Sequence, residues 1–98
     1  MKTIDDEALQ AFLDGAPAWS RKGDKIVRDF KAASDREAAR AIARIADLAI
    51  GANHHPALTW IYDSLHIELS THDAGGLTKK DVHLAGCIDD VLDDTLRG

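Results

Sequence analysis

From Leu58 to His72 the chain alternates apolar and polar side chains almost without interruption, and this period of two limits the possible folds more than any other feature. Leu58, Trp60 and Tyr62 alternate with Thr59, Ile61 and Asp63. Past a turn expected at Asp63-Ser64, Leu65, Ile67, Leu69 and Thr71 alternate with His66, Glu68, Ser70 and His72. Successive side chains of a strand point to opposite faces, so the tract predicts two antiparallel strands with one face packed against helices.

The flanking segments supply those helices. Ser34-Asp35-Arg36-Glu37 has the form of a capping box, in which the hydroxyl and the carboxylate satisfy each other's orphan amides. Behind it Ala38, Ile42, Ile45 and Ala49, flanked by Ala41 and Leu48, make an apolar stripe, while Arg36, Arg40, Arg44 and Asp47 take the solvated side. Gly51 and Pro56 bracket its end. Thr78-x-x-Asp81 opens another amphipathic helix carrying Leu84, Ala85, Ile88, Val91 and Leu92, with Asp89-Asp90 and Asp93-Asp94 read as its wet face. At the other end Thr3-x-x-Asp6 caps a helix expected over 5–14, which Gly15-Ala16-Pro17 terminates.

Trp19 then precedes a hairpin, with Lys22-Gly23-Asp24 as its turn and Lys25 to Phe30 as its second strand, though Ile26, Arg28 and Phe30 fit alternation imperfectly. The predicted order is α-β-β-α-β-β-α. That is one α+β domain over residues 1–98, a four-stranded antiparallel sheet with helices packed on one face. Its open face and edges invite self-association.

Composition excludes several function classes. Twelve Lys and Arg against 17 Asp and Glu leave a net charge of −5. The basic pairs Arg21-Lys22 and Lys79-Lys80 are isolated, so no direct nucleic-acid contact is expected. A single cysteine, Cys87, cannot form an internal disulfide and reads as a core filler in a reducing compartment. The acidic start has no apolar leader and no run approaches a membrane span, so the expected location is cytoplasmic.

The chain holds 5 histidines, and three of them stand at element ends. His54 and His55 follow the second helix, and His72 follows the last strand ahead of Asp73 and Gly75-Gly76. Functional side chains are commonly displayed at such ends, and imidazoles exchange protons near neutral pH. A helix C-terminus also favours the imidazolium form. No metal is expected, since the spacing lacks HExxH or CxxC and neighbouring helical residues diverge by about 100°. Ser70-Thr71-His72-Asp73 cannot fold back into a nucleophile triad. Gly75-Gly76 lacks a phosphate-loop frame. His66 and His83 lie on exposed faces, and Trp60 and Tyr62 read as core or interface aromatics.

Asn53-His54-His55-Pro56, Trp60-x-Tyr62, Ser70-Thr71-His72-Asp73-x-Gly75-Gly76-Leu77 and Asp81-Val82-x-Leu84-Ala85, at these separations, resemble the signature of the pterin-4a-carbinolamine dehydratases. The resemblance is strong over about residues 40–92 and weak before. It implies dimers or tetramers formed by sheet and helix association. It also implies loss of water from a 4a-hydroxy-tetrahydropterin, with no cofactor. By this likeness the catalytic set is His54, His55, His72 and Asp81. His54 and His72 form the acid–base pair, His55 holds substrate and Asp81 orients an imidazole. Asn53, Ser70, Thr71 and Trp19 contact the pterin, Ser70 and Thr71 through backbone groups. The chain departs from the family where Ile50 replaces a Glu, where Asn53 replaces the Asp of mammalian members, and where Phe30 is followed by Ala32 and Ser34 rather than further aromatics. The resemblance also admits a non-catalytic role on the same fold, as an assembly protein for Rubisco or a partner of a transcription factor.

Overall fold

The computed structural model describes residues 2–96. Four strands, β1 (Ser20–Lys22), β2 (Lys25–Lys31), β3 (Ala57–Ile61) and β4 (Ser64–Leu69), pair antiparallel in the order β1-β2-β4-β3. Three helices, α1 (Asp6–Gly15), α2 (Asp35–Ala52) and α3 (Lys79–Leu96), complete the predicted α-β-β-α-β-β-α order. Strand β4 is central, paired with β2 on one side and β3 on the other. Leu65, Ile67 and Leu69 are at most 2% exposed, and the register sets them beside Phe30, Arg28 and Ile26 of β2. Ala38, Ala41 and Ile45 of α2 and Leu84, Ala85, Ile88 and Leu92 of α3 cover that face. The helices therefore lie on one side, as the patterning required.

Local chemistry explains where the elements begin and where the patterning misplaced them. The Ser34 hydroxyl accepts from the Glu37 amide at 3.1 Å, but the Glu37 carboxylate turns to Arg40 at 3.0 Å. The first helix is capped by Asp5, which accepts from the Ala8 amide at 2.7 Å, rather than by Thr3, and it runs one residue later than predicted. The second hairpin turns one residue early, at Tyr62-Asp63, with Tyr62 in the left-handed region (φ 54°). Trp60, Ile61 and Tyr62 are 51%, 70% and 73% exposed, because β3 is an edge strand that the helices barely reach.

The imperfect alternation of β2 has a definite cause. Arg28 points into the helix layer, where its guanidinium pairs with Asp89 and lies 5.8 Å from the Phe30 ring centroid. Asp89 also accepts the Trp19 indole N–H at 2.7 Å, so it is not part of the solvated face assigned to the aspartates of α3. A polar knot thus ties β2 and the Trp19 segment to α3. Cys87 is only half-buried, not a full core residue.

On the open face Lys25, Glu68, His66 and Asp29 form a ladder across β2 and β4. Lys25 Nζ meets Glu68 Oε1 at 3.0 Å, Glu68 Oε2 meets His66 Nε2 at 3.0 Å, and His66 Nδ1 meets Asp29 Oδ1 at 2.6 Å. The bond to Asp29, then that to Glu68, raises the His66 pKa above its ordinary 6.5. Lys25 and then His66 lower that of Glu68 below 4.5. A raised histidine stabilises fully below 6.5 and loses its contribution as pH climbs through the folded value; a lowered carboxylate contributes above 4.5. The ladder should therefore help most between these values. The urea midpoint should fall between about pH 6 and about pH 8 by more in the wild type than in His66→Gln, as chemical denaturation at the two pH values will show.

Candidate active site

The site grows from the way three segments end. Helix α2 stops at Asn53, whose left-handed conformation (φ 51°, ψ 43°) reverses the chain. Asn tolerates this region better than most residues. The amide of His54 then returns to the Ala49 carbonyl at 3.0 Å and that of Asn53 to Ile50 at 3.2 Å, the two bonds of a Schellman closure. That closure delivers the His54 ring just beyond the helix.

Strand β4 ends in a loop that folds onto itself. The Thr71 amide donates to the Gly76 carbonyl at 3.0 Å, and the Thr71 carbonyl accepts from Ala74 at 3.0 Å and Gly76 at 3.4 Å. Within this clamp His72–Ala74 makes one 3-10 turn, closed by Gly75 at φ 72°, a backbone that favours glycine. His72 is exposed at the start of that turn.

The third segment is the start of α3. Thr78 and Asp81 form the expected cap, because the Thr78 amide donates to Asp81 Oδ2 at 2.9 Å and the Lys80 amide to Thr78 Oγ1 at 3.2 Å. Asp81 is 0% exposed, and it joins the other two segments. His54 Nε2 lies 2.5 Å from Asp81 Oδ1, and the Thr71 hydroxyl donates to Asp81 Oδ2 at 2.8 Å. One buried carboxylate therefore anchors the residue before His55 and the residue before His72. With the carboxylate accepting, the hydrogen of a neutral His54 sits on Nε2 and Nδ1 keeps its lone pair. An imidazole held this way can take up a proton.

The remaining candidates divide. His55 and Asn53 are exposed beside His54, and Ser70 is exposed beside Thr71. Thr71 itself is 5% exposed, with its hydroxyl and both backbone groups already bonded inside the protein, so it supports the site from behind instead of offering its backbone to a ligand. Trp19 is likewise displaced: at 3% exposure it is core, tied to Asp89 about two turns along α3 from Asp81. Ile50 is 69% exposed on the last turn of α2. The Thr78 hydroxyl is the group that sequence patterning passed over. The signal was present, since a Thr-x-x-Asp cap ties both side chains to one helix start. Among the described residues no three His, Cys, Asp or Glu side chains are arranged to hold a metal ion. No described helix is long and apolar enough to cross a membrane. A concavity of about 490 Å³ lies on the open sheet face around His66, and one of about 530 Å³ adjoins the start of α3, beside Lys2, Thr78, Lys79 and Lys80.

Fold and site together define a small α+β domain that seats an imidazole on a buried carboxylate at one end of its helix layer. The chain belongs to the pterin 4 alpha carbinolamine dehydratase family, whose model matches residues 2–91. A provisionally named pterin-4-alpha-carbinolamine dehydratase from Thermomicrobium roseum is 41% identical over 85 residues, 87% of this chain and 91% of the relative. Another provisionally named so, from Picosynechococcus, is 41% identical over 86 residues, 88% of this chain and 94% of its own. The fold also matches a crystal structure of a transcriptional coactivator/pterin dehydratase from Brucella melitensis, with TM-score 0.88 and 22% identity over 93% of this chain and 99% of that one. A pterin dehydratase-like RuBisCO assembly factor of the alpha-carboxysome is similar at TM-score 0.63 and 16% identity, over 76% of this chain and 86% of that one.

Removing the central acceptor should be costly, because it strands buried donors from all three segments. Asp81→Ala should lower stability by roughly 3 kcal/mol or more, read from urea unfolding by Trp19 fluorescence, while truncation of the exposed His55 should change it by less than about 0.5 kcal/mol.

Proposed function

We propose that the chain dehydrates a 4a-hydroxy-tetrahydropterin to the quinonoid dihydropterin and water, recycling the pterin cofactor of aromatic amino acid hydroxylases. The observation that carries this reading is the single carboxylate of Asp81 bonded both to His54 and to Thr71, the neighbour of His72. The reaction breaks the C4a–O bond, forms a C=N bond in the ring and involves no net oxidation. Hydroxide leaves poorly, so an acid must protonate the departing oxygen while a base removes a proton from a ring nitrogen. His54, with its hydrogen directed to Asp81, presents Nδ1 as the base. His72, exposed on its turn, is the acid, and His55 holds the substrate with Asn53 and Ser70. Membership of the dehydratase family supports the reaction class.

A second reading is favoured by the apolar rim of Trp60, Ile61 and Tyr62 on the β3 edge. Large apolar side chains exposed at an unpaired sheet edge suit a contact surface. On it the chain would act as a binding or assembly protein, the role carried by one structural relative, the RuBisCO assembly factor of the alpha-carboxysome. In that reading the chain is non-catalytic; the same residues also suit association into homodimers or homotetramers, which is compatible with catalysis.

The decisive assay follows breakdown of the 4a-carbinolamine by stopped-flow absorbance. Wild type should exceed buffer, and His54→Ala and His72→Ala should each lose about 10²- to 10⁴-fold in kcat. A wild-type rate equal to buffer sinks the enzymatic reading. Light scattering should find the wild type above monomer mass, with Ile61→Lys shifting it toward monomer.

A further inference from the structure

Behind the His54–Asp81 pair lies a chain of hydroxyls with a fixed direction. The Thr71 hydroxyl has one hydrogen, and it is given to Asp81 Oδ2 at 2.8 Å. The 2.8 Å contact between Thr71 Oγ1 and Thr78 Oγ1 must then be made with the Thr78 hydrogen. Thr78 Oγ1 in turn accepts from the Lys80 amide at 3.2 Å. Donation therefore runs Lys80 amide, Thr78 hydroxyl, Thr71 hydroxyl, Asp81 Oδ2, with the Thr78 amide as a second donor to the same oxygen at 2.9 Å. Oδ1 is left to His54.

Both threonines are buried, at 5% and 2% exposure, so water does not compete for these bonds. Two donors on Oδ2 fix the rotation of the carboxylate and hold Oδ1 toward the imidazole. A directed chain of this kind polarises along its length. A cap by itself needs only the amide bonds at the start of α3; the Thr71 hydroxyl contributes nothing to capping, yet it is buried and aimed at the carboxylate.

We infer that the paired hydroxyls of Thr71 and Thr78 are positioning residues for His54, acting through Asp81 to hold the imidazole with its hydrogen on Nε2 and Nδ1 available. The consequence for turnover rests on the dehydratase reading; the consequence for the ring does not.

The test uses the full chain with ¹⁵N-labelled histidine and a parallel dehydration assay. In the wild type, His54 should show the Nε2–H tautomer with a downfield, slowly exchanging proton, and the Thr71 and Thr78 hydroxyl protons should be visible and protected from exchange. Thr71→Val keeps the shape and removes the donor. It should lose the protected His54 proton and drop kcat about ten- to a hundredfold with KM changed less than about twofold, whereas Thr71→Ser should restore both. An unchanged His54 proton in folded Thr71→Val, or unprotected hydroxyl protons in the wild type, overturns the inference. If Thr71→Val does not fold, Thr78→Ala is the second variant: it removes the hydroxyl between the Lys80 amide and Thr71 while the Thr78 amide stays on Asp81 Oδ2, and an unchanged His54 proton there also overturns the inference. A wild type with no dehydratase activity defeats the proposed function alone, because the ring tautomer and hydroxyl protection still decide the positioning role.

Discussion

Everything near the candidate site depends on satisfying one buried carboxylate. Taking an ionised Asp81 out of water costs several kcal/mol unless donors replace the lost solvent. The chain supplies them from three places: the ring of His54 after α2, the hydroxyl of Thr71 after β4, and the amide of Thr78 before α3. None of these segments is adjacent to all the others along the chain, so the carboxylate fixes how they meet. The residues displayed outward, His55 and His72, inherit their positions from partners buried behind them.

The helix layer is fastened to the sheet at a second polar point. Arg28, Asp89 and Trp19 join β2 to α3 farther along the same helix. Between the two anchors lie Leu84, Ala85 and Ile88, all at most 2% exposed. Apolar burial supplies most of the attraction there but does not set orientation, whereas the two polar knots set the rotation of α3 and its placement along the sheet. The opposite sheet face carries the Lys25–Glu68–His66–Asp29 ladder. That face is tied together by partly exposed charges, which makes its contribution sensitive to pH and of limited size.

The architecture was legible because its strongest elements obey simple periods. Leu65, Ile67 and Leu69 announced a packed strand, and Ser34 announced the start of α2. The errors arose where a distant partner overrides a local rule. Arg28 breaks alternation because Asp89 waits for it in the helix layer, and Asp89 looks like one of a row of wet aspartates until Trp19 and Arg28 are placed. Trp60 and Tyr62 read as core or interface aromatics, and edge position, which depends on strand order, keeps them out of the core. At the site, the histidine placements followed from element ends. The burial of Thr71 was implicit in its sharing a face with Leu65, Ile67 and Leu69, since a hydroxyl on that face requires a partner. Which partner it takes is a three-dimensional fact.

Whether His54, His55 and His72 surround one ligand site organised by Asp81 is decided by titrating the chain with a reduced pterin while following all five histidine ring signals by NMR. With a shared site, His54, His55 and His72 shift together along one saturation curve while His66 and His83 stay still. Saturable binding that moves His66 or His83 and leaves the other three unchanged would refute it.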